Sequence, residues 1–198
     1  MAENDQILID RFTSGDTNAF QELVERYKKK VYYLAYDIAG DHHEAEDISQ
    51  EVFIKVFRSL NAFRRDAKMS SWLYQITVNA SIDSLRKKPS KLGTSIDTLE
   101  RADVQDNPLG GSTDLDPERS AESLLFQRHI SQALQKVSPK ERSVFVMRHY
   151  NDFKIREIAE ILNISIGTVK ALLFRAIKKL RKELSIYRGS PGLEVTHE

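Results

Sequence analysis

The residues best suited to chemistry sit close together between positions 154 and 180. Ile155, Ile158, Ala159 and Leu162 recur at helical spacing, and Ala159 is small where a second helix must come near. Asn163-Ile164-Ser165 then supplies a residue that tolerates left-handed backbone angles, followed by a hydroxyl able to cap the next helix. A second periodic run opens at Ile166 and is expected to bury Ile166, Val169, Leu173 and Ile177. The pattern predicts a helix-turn-helix. The other face of its second helix presents Gly167, Thr168, Lys170, Ala171, Phe174, Arg175 and Lys178. Hydrogen-bond donors among small residues match the base edges of a major groove, and Lys179, Arg181 and Lys182 are placed to meet phosphates. Turn, cap, apolar stripe and donor face coincide, which separates this stretch from a basic hairpin with nothing to bind. The chemistry it predicts is non-covalent reading of a duplex.

Other chemistries find little support. With no cysteine, thiol nucleophiles, disulfide frameworks and Cys-ligated metals are excluded. His42-His43 is a poor metal pair, because neighbours on a helix point about 100° apart and no third ligand is placed near them. Neither a nucleophile elbow nor a glycine-rich phosphate loop is present. The expectation is a protein without catalytic residues, cofactor or metal.

The reading helix must be held by a scaffold, and the chain reads as all-α. Helices are predicted over 5–14, 17–39, 43–61 and 70–88, then 117–136, 139–149, 154–161 and 166–186. Asp16 precedes the Ala19-Phe20-Leu23-Val24-Tyr27 periodicity, and Asp41 with Glu44 has the spacing of a capping box. Ser138-Pro139-Lys140-Glu141 combines a cap, a proline at the first helical position and the reciprocal acid. Between the two sets of helices, residues 93–117 are rich in Gly, Pro, Ser, Thr and Asp and read as an acidic flexible linker. Two small helical domains, 1–92 and 118–188, and a tail, 189–198, are therefore expected.

Charge is segregated although the total is nearly balanced, with 30 basic and 29 acidic side chains in 198 residues. The first domain is neutral overall, residues 93–120 carry 2 basic against 7 acidic groups, and residues 121–188 carry 14 against 6. Within the first domain, Asp37 to Glu51 holds six acids and no Lys or Arg, whereas Val52 to Lys91 holds nine bases against Asp66 and Asp83. Basic faces of this kind are the electrostatic footprint of nucleic-acid binding. The N-terminus lacks a secretory pattern and no apolar run approaches the roughly 18 residues of a membrane span, so a cytoplasmic protein without direct membrane insertion is expected.

A helix-turn-helix alone does not separate a free-standing regulator from a subunit of the transcription machinery; the first domain does. There, Asp47-x-x-Gln50-Glu51-x-Phe53 lies on a helix with Ile48, Val52, Val56 and Leu60 on one side and Phe53 and Phe57 adjoining. A polar loop, Asn61 to Ser70, leads to Ser71-Trp72-Leu73-Tyr74 and Val78-Asn79-x-x-x-Asp83, on a helix ending Arg86-Lys87-Lys88. With Gly167-Thr168-Val169-Lys170 and Phe174-Arg175-Ala176 in the second domain, the chain resembles the extracytoplasmic-function group of the bacterial sigma-70 family over roughly residues 5–92 and 120–186.

That resemblance implies binding to core RNA polymerase and delivery of it to promoter DNA. It assigns Asp47, Gln50, Glu51, Ile54 and Arg58 to the polymerase. For a flipped minus-ten base and its surroundings it implies Phe63, Arg64, Arg65, Asp66, Lys68, Trp72, Asn79, Asp83, Arg86 and Lys87. Opening a base pair costs roughly a few kcal/mol, which stacking on an aromatic and phosphate contacts can offset. For the minus-thirty-five element it implies Thr168, Lys170, Ala171, Phe174, Arg175 and Lys178. Ala171 and Leu172 depart from the Ser and Arg often found at those positions, which bears on base preference. An anti-sigma protein covering these surfaces is a further partner that the resemblance implies. The competing expectation is a free-standing, dimeric helix-turn-helix regulator that binds duplex DNA unaided.

Overall fold

The computed structural model describes residues 4–63, 68–87 and 129–185, and every regular element among them is helical. Four helices, α1 (Asp5–Thr13), α2 (Thr17–Ala39), α3 (His42–Ser59) and α4 (Met69–Lys87), form the first module. A second group comprises α5 (129–135), α6 (Pro139–His149), α7 (Ile155–Leu162) and α8 (Ile166–Glu183). The expected linker 93–117, the start of the helix expected from 117 and the tail 189–198 lie outside the described residues.

Local chemistry sets the helix starts. The Asp16 carboxylate accepts from the amide of Asn18 at 3.0 Å, and that of Asp41 accepts from the amide of Glu44 at 2.9 Å. Between them, α2 stops at Gly40, whose φ of 75° lies in the left-handed region where a Cβ would be strained. α3 ends at Ser59, earlier than expected, because Leu60–Ala62 tighten into a single 3₁₀ turn that buries Leu60. Ile48, Val52 and Val56 on α3 join Leu8, Leu23, Val31, Ala35 and Leu73 in one core, as their spacing predicts. A triad of rings, Phe12, Phe20 and Phe57, closes its edge with centroids 5.0–5.6 Å apart.

The start of α6 departs from expectation. Ser138 makes no side-chain cap bond to the helix, while Glu141 folds back onto Ser138 and is itself almost wholly buried. Two cations explain its burial: Lys179 Nζ lies 2.6 Å and Arg175 Nε 3.1 Å from its carboxylate, tying α6 to α8.

The two modules are packed together. Leu34 and Ile38 from α2 and Val78 and Ile82 from α4 share a core with Val144, Met147, Ile158, Ile161 and Leu172. Among the described residues two hydrogen bonds cross this seam and both end on the last turn of α2: Arg142 Nη1 donates to the Ile38 carbonyl at 3.1 Å, and Asn151 Nδ2 donates to Asp37 Oδ2 at 3.3 Å. The Ile38 carbonyl is among the helix-end groups without an intrahelical partner, and a cation there also complements the helix dipole. Tyr74 and Phe153 meet edge-on across the same seam, 5.2 Å apart.

Candidate nucleic-acid and polymerase interfaces

The helix-turn-helix forms as its residues require. Asn163 ends α7 with φ 51° and ψ 49°, and Ser165 Oγ accepts from the amide of Thr168 at 3.0 Å to begin α8. Lys154 N donates to the Glu157 carboxylate at 2.7 Å, fixing the entry into α7. The apolar register differs from expectation. Val169 and Leu173 are buried as expected, but Ile166 is 43% exposed and Ile177 only partly covered, while Leu172, Ala176 and Leu180 are buried. The reason is that α8 meets two neighbours: Leu172 and Leu173 face the core shared with α7, and Ala176 and Leu180 face α5. In α7, Ile161 is buried, while Ile155 and Leu162 are half-covered.

That packing leaves Gly167, Thr168, Lys170, Ala171, Phe174, Arg175 and Lys178 together on one exposed strip, with Phe174 69% exposed. The exposed Phe174 ring gives this strip apolar contact area beside its donors. Arg175 is not free on this strip, since Glu141 holds its Nε. Burial raises the Glu141 carboxyl, but hydrogen bonds from Lys179 and Ser138 and the Lys179 charge outweigh it and hold the group below its usual value. Sequence reading missed this residue as part of the site, because an acid at the third position of a helix reads fully as a cap.

On α4, Asn79, Asp83, Arg86 and Lys87 share the exposed face, with Asp83 and Arg86 3.8 Å apart. The opposite face of the same helix is the seam, through Val78 and Ile82. Trp72 is half-buried and packs against Phe63, ring centroids 4.8 Å apart at 37°. Both rings thus lean on the first core while keeping some exposed area. Lys68 is exposed beside them; Arg64, Arg65 and Asp66 lie outside the described residues.

On α3, Asp47, Gln50, Glu51, Ile54 and Arg58 are all exposed, and Glu51 pairs with Lys55 at 2.6 Å. Ile54 is 51% and Phe57 47% exposed, which puts an apolar strip beside the acids. An acidic and apolar helix face fits a basic helical partner. His42 is engaged elsewhere: its Nδ1 lies 2.6 Å from the Tyr32 hydroxyl and its ring stacks on Tyr36 at 4.4 Å. Among the described residues no group of three or more His, Asp or Glu is placed to hold a metal, and no helix is long and apolar enough to cross a membrane.

Comparison with known proteins agrees with this arrangement. The family model "Sigma-70 region 2" matches residues 23–90, and "Sigma-70, region 4" matches residues 127–180. The chain is 38% identical to the ECF RNA polymerase sigma factor SigW of Bacillus subtilis, with 89% of this chain and 94% of that one covered. It is 32% identical to the ECF RNA polymerase sigma-E factor of Escherichia coli, covering 87% and 90% respectively. Among solved structures, CnrH in complex with the cytosolic domain of CnrY superposes with a TM-score of 0.63 at 22% identity, over 93% of this chain and 99% of that one. The sigma factor RpoE in complex with the anti-sigma factor NepR from Bartonella quintana gives 0.59 at 22% identity, over 84% and 97%. Two sigma-70 regions in this order, carried on two helical modules with these exposed faces, place the chain in the extracytoplasmic-function group of the sigma-70 family of RNA polymerase sigma factors.

Proposed function

We propose that this chain docks on core RNA polymerase and directs it to promoters, residues 1–92 reading and opening the minus-ten element and residues 118–188 reading the minus-thirty-five element. The observation that carries this reading is the strip on α8, where Thr168, Lys170, Ala171, Phe174, Arg175 and Lys178 stand clear of both cores behind a capped turn. In this reading Lys170, Arg175 and Lys178 contact phosphates or base edges, Thr168 and Ala171 allow close approach, and Phe174 covers a thymine methyl.

On the first module, Asn79, Asp83, Arg86 and Lys87 line the path of the opened strand. Phe63 and Trp72, with Arg64, Arg65, Asp66 and Lys68, receive the flipped base. Asp47, Gln50, Glu51, Ile54 and Arg58 make the polymerase contact. The work is done by binding, so no bond is made or broken by this chain, and the reading places it in the cytoplasm with the polymerase. An anti-sigma protein covering the same faces is a natural regulator; CnrH and RpoE, which share this fold, were both solved with partners, and NepR is named as an anti-sigma factor.

Footprinting on a promoter tests the reading against a free-standing regulator. The chain alone is expected to protect little. Adding core polymerase should yield protection over both elements and a reactive, opened minus-ten region. Sequence-specific protection by the chain alone, unchanged by polymerase, would favour the regulator.

A further inference from the structure

The seam between the modules contains a cleft of about 340 Å³ that none of the polymerase or promoter residues above occupies. Tyr33 and Asp37 of α2 and Tyr74 of α4 form one side, and Tyr150, Asn151 and Phe153 form the other. Its volume lies at the small end of the range for organic ligands. Four aromatic rings make the walls, with the Tyr74 edge set against Phe153.

Besides the tyrosine hydroxyls, the cleft holds two acceptors that are incompletely matched among the described residues, the Asp37 carboxylate and the Asn151 amide oxygen. Asp37 has one hydrogen bond among the described residues, from Asn151 Nδ2. That bond fixes the Asn151 amide, and its Oδ1 is left buried with no partner. An orphaned buried acceptor beside a carboxylate without a counter-ion is a combination that native proteins seldom leave without a purpose. Lys30, at the rim, does not supply the missing charge: its ammonium lies over the Tyr27 ring, 5.7 Å from the centroid, and forms no ion pair with Asp37. Burial without a cation pushes the Asp37 carboxyl up to about 6. It also raises the hydroxyl of neighbouring Tyr150 to about 12, with the Asp37 charge adding to the effect.

We propose that this cleft is a binding site for a small organic cation with a primary ammonium or guanidinium group, and that its occupancy holds the two modules in the packed arrangement. Aromatic faces attract such a cation, and a half-desolvated carboxylate gives it a charge-assisted hydrogen bond. An anionic ligand would meet Asp37 head-on, and a neutral one would leave the half-buried carboxylate without a counter-charge. Because the rings come from both modules, a ligand spanning them binds the packed arrangement and not the separated one, and so shifts the balance toward it. The binding step stands apart from the promoter reading, since it concerns the chain alone.

Agmatine and spermidine, titrated into the purified full chain at low salt and followed by calorimetry and by amide NMR, test the site. Saturable binding is expected, with the largest shifts at residues 150–153. Asp37→Asn, which keeps the shape of the side chain, should weaken binding about tenfold or more, and Tyr33→Ala by several-fold. No saturable binding of either amine overturns the proposal. So does binding that Asp37→Asn leaves unchanged, since that would locate the cation on the acidic surface of α3 instead.

Discussion

Glu141 is a buried carboxylate that keeps two cations of the proposed reading helix in place, bonding Lys179 and Arg175 at once. Glu141→Ala leaves both cations without their anion and Ser138 without its partner. It should cost about 1–3 kcal/mol in urea unfolding, far more than removal of an ordinary surface acid. Asp37 has the opposite sign. Its folded-state carboxyl is raised above the unfolded value of 3.8 to about 6, so the folded chain holds the proton more tightly. Its contribution is favourable below about pH 4 and is lost as pH rises through 6, amounting to at most about 3 kcal/mol. Asp37→Asn is therefore expected to be more stable than the parent at pH 7.5, with the gap closing toward pH 4 in parallel melts. Burial raises the hydroxyls of its neighbours Tyr74 and Tyr150, so both stay neutral across that window. Neither role was legible in the sequence. Glu141 stands where a cap is expected, and Asp37 is one of six acids in an acidic run; only the approach of a distant helix distinguishes them.

Individual elements were far more readable. Caps at Asp16 and Ser165 and the left-handed Asn163 are local chemistry, settled by a few adjacent residues, and form as expected; Asp41 caps the Glu44 amide, but the Glu44 carboxylate accepts from Ser84 on α4, a partner that local spacing does not reveal. The α8 register was only half legible, because an amphipathic stripe tells which residues face a core but not that the helix is buried on two sides. Ile166 therefore stays exposed and Leu180 does not. Exposure of the opposite strip is what gives the promoter reading its force. Lys170→Ala and Phe174→Ala should leave the melting curve nearly unchanged, since both side chains already face solvent. Each should weaken polymerase-dependent binding at the minus-thirty-five element by about 1–3 kcal/mol, roughly a five- to 150-fold effect. Gel-shift titration with and without an intact element checks it: only the Phe174 variant should lose discrimination at a thymine, whereas loss of the Lys170 cation should also lower the salt dependence.

At the scale of the whole molecule, composition pointed to two modules and a linker but not to the seam joining them. A Val78–Ile82 pair on a helix reads as ordinary core, and nothing in sequence says that its partner is Met147 or Ile158. The proposed reading of both promoter elements needs that seam to part. Elements about 25 base pairs apart lie on the order of 85 Å from each other along B-form DNA, a separation that modules in direct contact through α2, α4, α6 and α7 do not span. Since the chain has no cysteine, dyes can be placed cleanly at Thr13→Cys and Glu160→Cys, both exposed. Energy transfer between them is expected to be high in the free chain, lower in Arg142→Ala, which loses the bond to Ile38, and to fall sharply when core polymerase is added. Run-off transcription from a promoter bearing both elements, with core polymerase in the presence or absence of this chain, goes to the centre of the account. Transcripts starting at one position only when the chain is present, and lost when either element is scrambled, are the predicted result. Equal, scattered initiation with and without the chain would contradict it.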